Sequence, residues 1–261
     1  MPVCTLLTDF GQRDWYVAAM KGTLLRLAPR AVLVDITHEI DPGDVVAAGL
    51  VLAGAAPAFP TGTVHVAVVD PGVGSSRRML AAGACGQLLV APDNGLLTPL
   101  LGEDALVHAV ERPDLHLDAP GRTFDGRDRF APVAAALLLG ASLENLGPRV
   151  DDALRAGAAP PTRDPQARRI TGHVVHVDRY GNLITDVPAA WLDGERIAAA
   201  RVGAVVVHRL ATHYAALEPG VPALLVGSLG TLELALRDAS AAAATGVARG
   251  DVITIDVGAS R

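Results

Sequence analysis

Three short apolar runs each end in an aspartate: Asp9 follows TLLT, Asp70 follows TVHVAVV and Asp93 follows QLLVAP. Glycines stand beside each acid, in DFGQRD, DPGVGSS and DNG, and they let the backbone turn sharply and approach a ligand closely. Any one such aspartate is accounted for by capping of backbone N–H groups in a turn. Three of them at the ends of strand-like runs point instead to a site rimmed by carboxylates. A fourth acid, Asp125, stands in GRTFDGRDRFAPVAAALLLG, where Arg122, Arg127 and Arg129 precede or border an almost wholly apolar run. Its carboxylate either caps the coming helix, meeting the positive end of the dipole, or faces the site with the others.

By residue type alone, clustered carboxylates could hold Mg²⁺ or Mn²⁺ in a phosphohydrolase, because hard cations take oxygen ligands. No His-rich ligand set accompanies them. DPGVGSS could serve as a phosphate loop, but it lacks G-x-x-x-x-G-K-[ST], and its glycines are not in G-x-G-x-x-G order.

Composition removes other classes. The formal net charge is −6 and Lys21 is the only lysine, so no basic patch is on offer to neutralise the phosphates of a nucleic acid. Cys4 and Cys85 stand in apolar runs without a C-x-x-C pair, and both are expected to be buried free thiols. VCTLL enters a strand at once, without the basic and long apolar regions of a signal peptide. No segment reaches the ~18 uninterrupted apolar residues of a membrane span. A cytoplasmic protein with no nucleic-acid or membrane partner is expected.

The elements that must position the acids follow from periodicity. At 261 residues, half of them apolar, the chain suits one large domain or two smaller ones. Up to about residue 148, PVCTLL, AVLVDI, TVHVAVV, QLLVAP and ALVHAV read as strands, and 14–28, 44–58 and 127–140 as helices. That order predicts an N-terminal α/β sheet domain with crossover helices over 1–150, its apolar strands covered on both faces. The segment 149–167 gathers Pro, Gly and Asp and reads as a linker. RITGHVVHVD, NLITDVP, RVGAVVVHRL, PALLVGS, TLELAL and DVITIDV then predict a smaller all-β C-terminal barrel or sandwich over 168–261. Ligand sites favour domain junctions and the carboxyl ends of parallel strands.

Six strings, TDFGQRDWYVAAMKG, DITHEIDPGDV, VVDPGVGSSRR, APDNGLL, TFDGRDRFAPVAA and VDRYGNLITD, together resemble the S-adenosyl-L-methionine hydroxide adenosyltransferases, relatives of the fluorinases. They stand in register over nearly the whole chain. The resemblance implies a homotrimer that binds S-adenosylmethionine at subunit interfaces, the N-terminal domain of one subunit meeting the C-terminal barrel of the next. It implies attack of water or hydroxide on C5′, giving adenosine and methionine. The sulfonium leaves as a neutral thioether, so no acid is needed on the leaving group, and no metal or cofactor is implied.

Asp9 matches the acid that chelates the ribose hydroxyls, a task for two acceptor oxygens. Asp14 and Asp178 match acids that receive the methionine ammonium, Ser228 the serine near its carboxylate, and Tyr180 and Asn182 the aromatic and amide at adenine; Tyr16 joins this substrate-binding set. Around the attacking water the family places an Asp, an Arg and a His. Asp70 and Arg77 match the first two. The third position holds Asp125 here, and none of the eight histidines stands beside this motif; His38, in DITHEI, reads as a structural residue at a strand end. Leu229-Gly230-Thr231, where Ser-Gly-Tyr is more usual, is a second departure, as is Arg237-Asp238 near the expected adenine loop. The fluorinases resemble this chain less, carrying Tyr at the place of Asp70 and Ser at that of Gly126. A non-catalytic S-adenosylmethionine or adenosine binder remains the alternative from another class.

Overall fold

VCTLLT forms strand β1 (Val3–Thr8), buried from Cys4 onward. Its side chains alternate between two apolar layers, Leu6 packing in one and Leu7 in the other, which is why the run has no charged residue and little polar character. The computed structural model describes residues 1–193 and 195–258, and the chain divides into two compact units, Met1–Gly157 and Ala158–Arg261.

In the first unit, β1 lies between β2 (Val32–Thr37) and β3 (Val64–Val68), followed by β5 (Gln87–Pro92), β4 (Met79–Ala84) and β6 (Leu106–Ala109). The β2-β1-β3-β5 pairings are parallel, and β4 runs antiparallel to both neighbours. Helices α1 (Tyr16–Leu27) and α3 (Ala131–Leu138) cover one face through Met20, Leu24, Val133 and Leu137, and α2 (Val45–Ala55) covers the other through Ala48 and Leu52. Asp44 caps α2, its carboxylate accepting from Ala47 N at 3.0 Å.

MLAAGA, which carries no strand signal in the sequence, is β4. Alanine has weak strand preference, and pairing with β5 and β6 decides the matter. The β4–β5 loop is Cys85-Gly86, with φ of 52° and 73°, as a two-residue hairpin turn of the primed type requires. Cys85 is therefore exposed, against the expectation of burial, whereas Cys4 is buried.

The second unit is an antiparallel, nearly closed barrel-like sheet in the order β11-β10-β14-β8-β9-β13-β12. Its strands are β7 (Thr162–Asp164), β8 (Arg169–Val177), β9 (Leu183–Pro188), β10 (Arg196–Val202), β11 (Val205–Val207), β12 (Ala223–Val226), β13 (Thr231–Ala235) and β14 (Val252–Gly258). A bridge from Leu210, just past β11, to Leu224 in β12 brings the two ends of the sheet together. The run read as one strand over 201–210 is in fact the end of β10, a turn at Gly203 with φ of 54°, and β11. Inside the stretch read as linker, β7 pairs with β8. AAAAT forms the short α4 (Ala241–Thr245), capped by Ser240 and ended by Gly246 at φ of 70°. Among the described residues, no helix is long and apolar enough to cross a membrane.

Gly49 of α2 tests the packing on the sheet's second face. A Cβ there would stand 2.4 Å from the Leu96 carbonyl oxygen. Alanine favours a helix over glycine by about 1 kcal/mol, yet this backbone contact reverses the sign. Gly49→Ala is expected to lower Tm in a thermal melt; an unchanged or higher Tm would show that the loop yields freely.

Candidate active site

Asp9 and Asp70 leave the same edge of the sheet because they follow β1 and β3, which run parallel with Thr8 opposite Val68. His38 ties this edge to β2: its Nδ1 lies 2.8 Å from Thr8 Oγ1 and its Nε2 3.0 Å from Asp35 Oδ1, the structural place the sequence suggested. Asp9 accepts from Gly43 N at 2.9 Å through one oxygen, Oδ2.

Asp93 also follows a parallel strand, but it serves the fold. Its Oδ2 receives Arg78 Nε at 2.8 Å and its Oδ1 receives Leu154 N at 2.8 Å. Two of the three strand-end acids thus face one cavity, of about 410 Å³, which Asp125 also lines.

Asp125 is not a helix cap. It stands at the N-terminus of a π-helical turn, Gly126–Phe130, without a side-chain capping bond. Its Oδ2 instead accepts from Arg77 Nη2 at 2.7 Å and from Arg129 Nη1 at 3.2 Å. Arg77 in turn clasps Asp70, with Nε 2.8 Å from Oδ1 and 2.9 Å from Oδ2, and a further contact from Nη2.

The three side chains are only 10% (Arg77), 5% (Asp70) and 3% (Asp125) exposed. Burial pulls the Arg77 guanidinium down, but the hydrogen bonds and charges of Asp70 and Asp125 more than reverse this, leaving its pKa above the ordinary value. Arg77 folds back on Asp70 because the intervening loop is tight: Ser75 Oγ donates to Gly72 O at 2.7 Å and accepts from Arg77 N at 3.2 Å.

An aromatic wall completes the cavity. Phe10, Tyr16 and Phe124 form a cluster with ring centroids 5.0 to 5.9 Å apart. Gly126 lies under it, where a Cβ would meet Met20 Sδ at 3.0 Å and Phe124 Cε2 at 3.2 Å.

The second unit carries its own cavity, of about 740 Å³, lined by Asp178, Tyr180, Asn182, Tyr214, Arg237 and Ser240 among others. Asp178 organises the β8–β9 turn: Oδ1 accepts from Tyr180 N (2.9 Å) and Asn182 N (2.8 Å), and Oδ2 from Asn182 Nδ2 (2.9 Å). Tyr180 is thereby held 79% exposed, an aromatic face without cover in its own unit. Gly181, at φ of 83°, admits no side chain, since a Cβ would fall 2.0 Å from Ser240 Oγ.

Asp14 and Ser228 are exposed, and neither is among the residues lining these two cavities. Sequence reasoning assigned no role to Arg129 or Tyr214. Arg129 was legible as the i+4 partner of Asp125 on a helix. Tyr214, whose hydroxyl donates to the Glu233 carboxylate, carries no sequence signal; burial and Glu233 push its phenol above the ordinary value.

The first unit thus holds two carboxylates bridged by a buried guanidinium beside an aromatic wall, and the second unit carries an exposed aromatic ring at a cavity of its own. Comparison with known proteins makes this specific. Residues 4–147 match the model of the SAM hydroxide adenosyltransferase N-terminal domain, and residues 172–254 that of the C-terminal domain. An (R)-S-adenosyl-L-methionine hydrolase of Salinispora arenicola is 40% identical over 98% of both chains. A fluorinase of Nocardia brasiliensis is 29% identical over 71% of both. The crystal structure of an uncharacterized conserved protein from Thermotoga maritima superposes with a TM-score of 0.86 at 33% identity, over 97% of this chain and 99% of that one. The chain is an enzyme of the SAM hydroxide adenosyltransferase family.

Removing Arg77 leaves two buried carboxylates short of their partner. Breaking a buried ion pair by deleting one side costs about 3–5 kcal/mol, and a lysine cannot reproduce the forked contacts. Urea denaturation of Arg77→Met is expected to show a loss of that order, with Arg77→Lys recovering only part. A loss below about 1 kcal/mol would mean that the bridge acts like a solvated surface pair.

Proposed function

We propose that this enzyme hydrolyses S-adenosyl-L-methionine, water attacking C5′ of the adenosyl group to give adenosine and L-methionine. The observation that carries the reading is the Arg77 bridge between Asp70 and Asp125 beside the cavity that Asp9 shares. The two acids have different strand and helix origins, and one guanidinium sets their separation.

The family's histidine position is filled by Asp125, so the groups around the attacking oxygen are two carboxylates and a guanidinium. Their task is to orient one water behind C5′ and to hold its proton as the O–C5′ bond forms. The C5′–S electron pair leaves on sulfur, giving a neutral thioether. Orientation of this kind supplies effective molarities of ~10⁵–10⁸ M. Asp9, with one oxygen engaged by Gly43 N, keeps acceptor capacity for the ribose hydroxyls. Tyr180 and Asn182 suit adenine, Asp178 and Asp14 the methionine ammonium, and Ser228 the methionine carboxylate.

The Salinispora relative is named for the (R) form. The label L already fixes the α-carbon, so (R) describes the sulfonium, and we extend that preference to this chain. A cytoplasmic homotrimer acting without cofactor completes the reading, in which residues of the first unit on one subunit and of the second unit on another share a substrate. The exposed Tyr180 ring and the separate cavities of the two units support the sharing of one substrate between subunits.

The experiment is to offer the purified protein both sulfonium epimers, with and without fluoride or chloride, and to identify products by chromatography. Adenosine and methionine are expected from the (R) form, independent of halide. Retained ligand without adenosine would mark a binder, and a 5′-halogenated adenosine would mark a halogenase.

Asp125 supplies the finer prediction. Asp125→Asn keeps the size of the side chain but removes its charge, and turnover at neutral pH is expected to fall about 10²-fold, the low end for a positioned acid–base group. Asp125→His restores the family's residue and is expected to keep or raise the rate, with a pH transition near ~6.5. Wild-type rates in Asp125→Asn across the pH range would remove Asp125 from the chemistry.

A further inference from the structure

The turn that carries Asp125 also builds a second cavity behind it. Pro132, in the first turn of α3, has no N–H to give to the carbonyl four residues back. That carbonyl, of Asp128, instead accepts from Leu117 N at 2.9 Å. The bond seats the segment around His116 against the π-helical turn, next to a cavity of about 260 Å³ lined by His116, Arg122, Asp125, Asp128 and Arg129, among others. Asp125 thus lines both this cavity and the one it shares with Asp9 and Asp70.

Three atoms of this cavity wall lack hydrogen-bond partners among the described residues. His116 Nε2 and Arg129 Nε are buried, and among the described residues neither has a hydrogen-bond partner. Both guanidinium bonds to Asp125 fall on Oδ2, and among the described residues no hydrogen bond reaches Oδ1. A buried polar atom without a partner loses about 1–3 kcal/mol, and polar cavities of this size hold water.

The charges facing His116 are Arg129 and Asp125 on the turn, Asp114 on its own segment and Arg122 on the following loop; Asp128, also in the cavity wall, is taken up by Arg127 at 2.6 and 2.9 Å. Burial, then Arg129, pulls the imidazole below its ordinary value, and Asp125 and Asp114 only partly oppose this. A neutral imidazole with a free ring nitrogen can take up a proton.

We propose that His116 is a relay residue for the hydrolysis, receiving by way of Asp125 the proton released from the attacking water and passing it to solvent through the second cavity. This rests on the function proposed above. As the O–C5′ bond forms and the C5′–S pair leaves on sulfur, the water proton moves to the Asp125 carboxylate. It then crosses to His116 Nε2 and leaves to bulk water, which restores both groups. The net change is S-adenosylmethionine cation plus water to adenosine, methionine and one proton. His116 acts through Asp125 and so replaces, from the preceding segment, the histidine that the motif itself lacks.

The test compares wild type, His116→Gln and His116→Ala by pH-dependent steady-state kinetics. An amide can fill the site and hydrogen-bond, but it cannot carry a proton at these pH values. Expected are a fall in kcat of about tenfold or more with KM unchanged, and partial rescue of His116→Ala by added imidazole. The wild-type rate should drop as acid protonates His116, below about 6.5, a limb absent from both variants.

A readout independent of turnover is the His116 titration by NMR. It should move to lower pH in Asp125→Asn, because the lost carboxylate had favoured the imidazolium. Wild-type kcat and pH profile in His116→Gln, or a His116 titration indifferent to Asp125→Asn, overturns the relay while the hydrolysis stands. A wild-type protein that forms no adenosine overturns both.

Discussion

Two carboxylates cannot share a buried pocket without a counter-charge, and the Arg77 guanidinium that supplies it is the interaction on which the site depends. It holds Asp70 through Nε and Nη2 and reaches Asp125 with the same Nη2, while its Cζ lies 5.2 Å from the centroid of the fully buried Phe130 ring. Arg129 adds a second cation on Asp125. Two acids and two guanidiniums therefore balance in a nearly dry setting, where an unpaired charge would be far more destabilising than at the surface. The substrate proposed for the site brings a sulfonium, an additional positive charge, and Asp9 stands in the cavity as an additional negative one.

The rest of the first unit serves to bring these groups from distant places. Parallel pairing of β1 and β3 sends Asp9 and Asp70 off one edge. The Ser75 turn returns Arg77 to Asp70. Pro132 interrupts the helical ladder, and the π-helical turn just ahead of it presents Asp125 to Arg77 and Arg129 to Asp125. Gly74 permits the Arg77 loop to pack on the segment before Asp125, for a Cβ there would meet Arg122 O at 2.7 Å. Sequence separation is large at each step, so the constellation exists only in the folded state.

Much of this was legible in the sequence, and the failures have physical reasons. Aspartates closing apolar runs gave away Asp9 and Asp70 because a parallel sheet collects its carboxyl ends on one edge. The same logic included Asp93, whose position is equivalent but whose oxygens are consumed by Arg78 and Leu154 N; a pattern of strand ends does not report which acids find a neighbouring partner. β4 was invisible because its alanines have little strand preference, and Cys85 looked buried because apolar neighbours on both sides hid a two-residue turn. The hairpin at Gly203 was hidden likewise in a β-branched run. Asp125 remained undecided between cap and site until its partners were known, since both roles call for an acid at a helix start. His116 lies nine positions before Asp125 and reaches its cavity because the Leu117 to Asp128 bond and the packing of Leu115 on the core seat the segment there, contacts that no local pattern announces.

In the proposed reaction the carboxylates joined by Arg77 set a water for attack on C5′. Turnover in water enriched in the heavy oxygen isotope tests it most directly, with both products analysed by mass spectrometry. The label is expected in the 5′ hydroxyl of adenosine and absent from methionine. Adenosine without label, or label carried by the amino-acid product, would contradict displacement at C5′ by water.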